Sequence, residues 1–323
     1  MAKPKVIVTR RWPQAVEQLL AEEFDAVLNL EDKPFSPADL GAALQEADAL
    51  LPTVSDRIDA SVFEAAEPRA RLLANYGVGY SHIDTQAAQS RGIAVTNTPG
   101  VLSECTADLA MTLLLMTARR AGEGERELRA GAWSGWRPTH MLGSKVSGKT
   151  LGIVGFGRIG QEVAKRAHFG FGMKILAYNP RSLDAAALAQ CQGERADSLD
   201  DLLAQADFVS LHCPGGEANR HLINRERLEK MRPDAFLINT ARGEIVDEAA
   251  LAQALSEGVI RAAGLDVFAR EPEVEAALLA CENAVLLPHL GSASLETREA
   301  MGMRVLKNVR AFFAGETPPD LVA

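Results

Sequence analysis

The chain carries only four cysteines in 323 residues, Cys105, Cys191, Cys213 and Cys281, and no two of them form a C-x-x-C pair. Thiols scattered in this way exclude a disulfide framework and supply no structural zinc site, so no metal is expected; they fit a reducing, cytoplasmic compartment. Long apolar runs are missing as well. The longest patch, residues 109–116, falls far short of the roughly 20 residues that span a bilayer. The opening MAKPKVIVTR runs at once into strand-like residues and has no apolar core of a signal peptide. Positive charge is not in excess: 34 Lys and Arg against 43 Asp and Glu give a net charge of −9. With both signs interspersed, neither nucleic acid nor an anionic membrane is an expected partner. Internal repeats and low-complexity segments are also absent.

What the chain does have is an alternation of short apolar runs with helical stretches, the pattern of an α/β fold with parallel sheets. Residues 6–9, 26–30, 49–53, 71–76 and 93–97 read as strands, with helices at 13–22, 37–43, 59–66 and 82–90. After the turn Thr98-Pro99-Gly100, one long helix is expected from Ser103 to about Ala130, with Ser103 as its cap. Residues 131–148 are irregular and rich in Gly, Trp and Pro. A loop of that length in a compact domain is functional or an interface, and the tryptophans Trp133 and Trp136 favour the interface. Strands resume at 208–211, 235–239, 262–265 and 284–287, and a last helix runs from Ser292 to about Ala314. The length suits two domains.

Residues 151–182 form a complete strand, turn, helix and strand. The apolar run 151–154 suits a strand covered on both faces. Gly155, Gly157 and Gly160 follow at G-x-G-x-x-G spacing, with Arg158 and Ile159 opening a helix expected to run to about Phe169. The glycines permit a tight turn, close approach of a pyrophosphate and close helix-to-strand packing, and the helix directs its positive end at the phosphates. A site for NAD usually adds an Asp or Glu about 20 residues on. Here the second strand ends instead in Asn179-Pro180-Arg181-Ser182. A neutral Asn179 removes the repulsion a 2′-phosphate would meet, and Arg181 and Ser182 offer it a guanidinium fork and a hydroxyl. NADPH is therefore the expected cofactor; if Arg181 is only a solvated loop residue, NAD is used too.

Every strand of this second half ends where something polar begins: Gly155, Asn179, His212, Thr240-Ala241-Arg242, Asp266 and Pro288-His289. Ligands of open α/β sheets lie beyond the carboxyl ends of the strands. Arg242 suits a bidentate clamp on a carboxylate or carbonyl, unless it is spent in a salt bridge with Glu244 or Asp247. A histidine at a strand end would give a carbonyl its proton as hydride arrives. His289 and His212 both qualify. Glu271 would serve His289 by favouring the charged imidazole.

The segments NYGVGYSHID, WSGWRPTHMLG, GFGRIGQ, NTARGEIVDE, GLDVFAREP and PHLGSAS, in this order, resemble the D-isomer-specific 2-hydroxyacid dehydrogenases over essentially the whole chain, and among them the glyoxylate and hydroxypyruvate reductases. The resemblance implies roles. Arg242 matches the substrate-binding arginine, Glu271 the glutamate that supports the histidine, and His289 the acid/base. Val78 and Gly79 match the backbone loop that holds the substrate carboxylate. Thr106, Asp266 and Gly291 match cofactor contacts, as do Thr240 and Ala241, while His212, Cys213 and Pro214 become pocket lining. It also implies two doubly wound domains. A Rossmann cofactor domain, residues 100–291, would be inserted in a flavodoxin-like substrate domain, residues 1–99 plus 292–323. An arm at about 119–148 would embrace a second copy in a homodimer, with Trp136 or Met141 reaching the neighbour. The implied activity is NADPH-dependent reduction of small 2-keto acids to 2-hydroxy acids. Bulkier aryl or branched keto acids, and a nicotinamide-sensing protein without turnover, are the alternatives. No regulatory domain is expected after Ala323, which weighs against the longer phosphoglycerate dehydrogenases.

Overall fold

A computed structural model describes residues 2–64 and 67–323. The chain divides into two compact units, Met1–Leu102 with Ala293–Ala323, and Ser103–Ser292.

Among the described residues, the first unit is built on a five-stranded parallel sheet of order β2-β1-β3-β4-β5. The strands are β1 (Lys5–Val8), β2 (Asp25–Leu28), β3 (Ala49–Leu51), β4 (Leu72–Ala74) and β5 (Ala94–Thr96). Strands β3 and β4 are buried at every position, which is why they read as unbroken apolar runs. The helix Pro37–Glu46 begins in a reciprocal cap: Asp39 N–H donates to Ser36 Oγ (3.2 Å) and Ser36 N–H to Asp39 Oδ2 (2.8 Å). The helix expected at 59–66 is Ala60–Glu64, and positions 65 and 66 lie outside the described residues. The last residues return to the sheet. Leu321 bridges Thr96 in antiparallel sense, and Val322 N–H donates to Val95 O (2.8 Å), which covers the open edge of β5.

The second unit holds a seven-stranded parallel sheet of order β12-β11-β10-β9-β6-β7-β8. Its strands are β6 (Thr150–Val154), β7 (Lys174–Tyr178), β8 (Glu194–Arg195), β9 (Phe208–Leu211), β10 (Phe236–Asn239), β11 (Ala262–Leu265) and β12 (Ala284–Leu286). The chain runs outward from β6 to β8, then starts again at β9 on the other side of β6, so the order reverses there. That is the switch point at which doubly wound sheets take ligands.

Three expectations need correction. The long helix is two, Ser103–Ala118 and Ala121–Arg129, separated at Arg120, whose φ of 54° is left-handed and whose guanidinium grips Glu123 (2.6–3.2 Å). Ser103 is the first helical residue, and Asp108 holds Arg166 (2.6 Å). The helix after the glycine turn is α-helical only over Arg158–Lys165 and continues as a π-helical turn, Arg166–Gly170. Residues 132–149 form no helix or strand. Trp133 and Trp136 in that loop are 51% and 82% exposed, and His140 Nε2 meets Glu127 Oε2 (2.8 Å) at its base.

Candidate active site

At the switch point β6 runs into Gly155, with φ +98°. A Cβ there would overlap the backbone of His212 and Cys213, so glycine lets the turn lie against the end of β9. At Gly160 a Cβ would strike the carbonyl of Gly155, which is the close helix-to-strand packing expected of the third glycine. Gly157 differs: nothing lies within 4 Å of where its Cβ would be, and the helix it opens has no side-chain cap. No side-chain cap takes up the N-terminal amides of Arg158–Lys165, which leaves a helix end suited to a pyrophosphate. Ile159 packs against the core beneath the sheet.

Asn179 ties the end of β7 to this turn. Its Oδ1 accepts from Phe156 N–H (2.7 Å), and its Nδ2 donates to Ser182 O (3.4 Å). Arg158, Arg181 and Ser182 are exposed, and among the described residues neither arginine forms an ion pair. Two buried polar atoms at neighbouring strand ends, His212 Nδ1 and Thr240 Oγ1, have no hydrogen-bond partner among the described residues. Unpaired buried polar atoms are costly unless a ligand meets them. The open helix end, the free guanidiniums and these atoms together fit a dinucleotide carrying phosphates.

Of the two strand-end histidines, His212 is desolvated. Burial pushes its pKa down to about 4, so it stays neutral near pH 7, and its Nε2 is 2.8 Å from Ser210 Oγ. Burial also pushes the Cys213 thiol up to about 11, which leaves it unreactive. Pro214 is exposed on the same loop.

The other histidine is held on three sides. His289 has a left-handed φ of 55°, and its N–H donates to Asp266 O (2.9 Å). The next two amides fasten the turn: Leu290 N–H donates to Asp266 Oδ1 (2.7 Å) and Gly291 N–H to Asp266 Oδ2 (2.8 Å). The imidazole Nδ1 lies 2.8 Å from Glu271 Oε2, with the side chains 30% and 35% exposed. Asp266 is fully buried, and burial pushes its carboxyl up to about 6 against the two amides. Both its oxygens serve the turn that carries His289, beside Thr106, which lies 3.6 Å from the site of a Gly291 Cβ.

Arg242 follows β10 and is braced by its neighbours. Asn239, 1% exposed, accepts from Ala241 N–H (3.0 Å) and donates to Arg242 O (2.9 Å). Gly243 presses on the backbone of Phe268 and Ala269, and Gly215 leaves room for the Arg242 stem. Among the described residues the guanidinium forms no ion pair; the alternative partner Glu244 accepts instead from Gly216 N–H (3.1 Å). Burial lowers the Arg242 pKa, with Glu244 and Glu271 acting against it from a distance. Sequence reasoning missed Asn239, although an asparagine ending a strand just before a functional arginine was the available signal.

In the first unit Val78 and Gly79 lie on the half-buried loop after β4. No group of three or more His, Cys, Asp or Glu that would hold a metal ion, and no helix long and apolar enough to cross a membrane, occurs among the described residues.

The family of D-isomer specific 2-hydroxyacid dehydrogenases matches, through its NAD binding domain, residues 111–291. The chain belongs to that family and is an NAD(P)-dependent oxidoreductase. Its relatives include the glyoxylate reductases of Thermococcus kodakarensis and Pyrococcus horikoshii. They are 47% and 48% identical to it, each over 99% of this chain and 96% of the relative. Among solved structures, the NADPH-dependent glyoxylate/hydroxypyruvate reductase of Sinorhizobium meliloti, in complex with NADP and malonate, is 34% identical. Its TM-score is 0.88, and the match covers 100% of this chain and 97% of that one.

Proposed function

We propose that the protein reduces glyoxylate to glycolate and hydroxypyruvate to D-glycerate, with NADPH preferred and NAD(H) also accepted. The observation that carries this reading is the pairing of His289 Nδ1 with Glu271 (2.8 Å) at the same end of the sheet as Arg242, which has no carboxylate partner among the described residues. The nicotinamide supplies the hydride when bound. Glu271 takes Nδ1, which leaves Nε2 of the charged imidazole to give its proton to the carbonyl oxygen as the carbon accepts hydride. Arg242 suits a bidentate grip on the keto acid, and within the first unit the amides of Val78 and Gly79 suit a carboxylate. The NADPH preference rests on the neutral Asn179, turned to the glycine loop, and on the exposed Arg181 and Ser182.

A homodimer joined through the arm at 119–148 accounts for the exposed Trp133 and Trp136. A cytoplasmic location agrees with the four free cysteines.

The test is nicotinamide absorbance loss with NADPH and with NADH over glyoxylate, hydroxypyruvate, pyruvate and hydroxyphenylpyruvate. Fast turnover of the two smallest oxygenated acids with NADPH is expected. Preference for the aryl acid would overturn the substrate class, and tight NADPH binding without turnover would make the protein a sensor.

A further inference from the structure

The loop Gly77-Val78-Gly79 is organised by side chains that carry no charge. Asn75 follows β4 directly and is 0% exposed. Its Nδ2 donates to Gly77 O (3.0 Å) and to Gly79 O (3.0 Å), and its Oδ1 lies 3.1 Å from His82 Nε2. Asn97, 8% exposed and next after β5, donates from Nδ2 to the carbonyl between them, Val78 O (2.9 Å). Thr98 N–H also donates to Gly77 O (3.0 Å).

Three successive carbonyls are therefore drawn to buried donors. The amides between them, of Val78 and Gly79, have no acceptor among the described residues and lie on a half-buried stretch. Consecutive amides left on the open side of a loop whose carbonyls are turned away make a concavity for an anion. The orientation of Asn75 follows from its surroundings, since a flipped amide would set its oxygen against two carbonyl oxygens. Gly77 is required by space: a Cβ there would come within 2.9 Å of Val54 Cγ1.

We infer that Asn75 and Asn97 are positioning residues that shape this loop into the receptor for the substrate carboxylate. The inference rests on the proposed 2-keto acid reductase activity. An asparagine is needed at both places because only an uncharged side chain can be buried there while donating to carbonyls; an aspartate would repel them and the substrate alike.

The experiment compares Asn75→Asp and Asn97→Ala with the unmodified enzyme, reading KM and kcat for glyoxylate, pyruvate and hydroxypyruvate and the Kd of NADPH. The KM should rise about tenfold or more, as for lost hydrogen bonds to a charged group. The rise should be by one common factor for all three acids, because the carboxylate is what they share. The kcat and the NADPH Kd should change little. An unchanged KM, a factor that follows the substrate side chain, or a fall in kcat alone would overturn the inference. If Asn75→Asp does not fold, Asn97→Ala, which removes one donor, decides the matter. Failure of the unmodified enzyme to reduce any 2-keto acid is a separate result, and it overturns the proposed function itself.

Discussion

Glu271→Gln isolates what the carboxylate does for His289. The side chain is held from both ends: Oε1 accepts from Phe268 N–H (2.9 Å) and Oε2 faces His289 Nδ1 (2.8 Å). Burial raises its pKa, but the hydrogen bond and charge of His289, the Phe268 amide and the charge of Arg242 outweigh burial, so it lies below its ordinary value. Glutamine keeps the shape and the Phe268 contact and removes the anion. Hydrogen bonds to charged groups contribute about 1.5–3 kcal/mol. With the two side chains 30% and 35% exposed, screening favours the lower figure, and about 1.4 kcal/mol is a tenfold change in rate. The kcat for glyoxylate at saturating NADPH should therefore fall roughly tenfold, while the NADPH Kd, read by nicotinamide fluorescence, stays within about twofold. A kcat within about twofold of the unmodified enzyme, or an equal loss of cofactor affinity, would refute the reasoning. Stability offers a second readout. A carboxylate whose folded pKa is lowered adds stability above its unfolded pKa, and that stability is lost as pH falls through the folded value. The Tm gap between enzyme and variant should accordingly close on acidification below about pH 4.5.

His289→Ala should lower kcat by roughly a hundredfold or more and leave NADPH binding intact by the same fluorescence assay; loss of binding would mark the residue as structural. Arg181→Ala should weaken NADPH by about tenfold and NADH by less than about twofold, and equal effects would remove the 2′-phosphate assignment. Asp266→Asn tests a titration of opposite sign. Burial raises that carboxyl from 3.8 to about 6, so its ionisation costs stability as pH rises through that window. The cost is on the order of 2–3 kcal/mol at pH 7. Relative to the asparagine variant, the unmodified enzyme should gain stability between pH 7 and pH 4 in chemical denaturation. A constant difference across that range would refute the assignment.

The strands and the glycine turn were readable because their requirements are local. A parallel strand buried on both faces must be apolar throughout, as β9 is at each of its four positions. Gly155 and Gly160 are fixed by approaches that any Cβ would block. The break at Arg120 was not readable. Residues 118–121 are Ala-Arg-Arg-Ala, all good helix formers, and propensity does not register the left-handed turn at Arg120. The π-helical turn Arg166–Gly170 is hidden for the same reason. Strand β8 is two exposed charged residues on the sheet edge, Glu194 and Arg195, with no apolar signal. The choice between His212 and His289 was out of reach from the residue pattern alone and rested on the family resemblance. Both end a strand, and only burial separates the one that stays neutral from the one that meets a carboxylate.

The distribution of charge at the ends of β10 and β11 follows one logic. Arg242 is partly desolvated, and burial lowers its pKa, so a contacting carboxylate would be the ordinary way to stabilise it. The chain does otherwise. Glu244 is occupied by Gly216 N–H and Glu271 by Phe268 N–H and His289, which keeps both anions near the guanidinium and neither in contact. The side chain directly beneath the loop is Asn239, neutral, with its donor on Arg242 O and its acceptor on Ala241 N–H. An aspartate there would lose the donor and bring an anion under the loop, competing with any acid the guanidinium is to bind. The guanidinium keeps one neutral partner, Nη1 donating to Ala241 O (2.6 Å), and the lack of a carboxylate costs stability that an arriving ligand with two well-placed oxygens would recover. The same neutrality recurs at Asn75 and Asn97 in the other unit. Buried amides at strand ends thus fix these loops without placing a carboxylate beside Arg242 or against the amides of Val78 and Gly79.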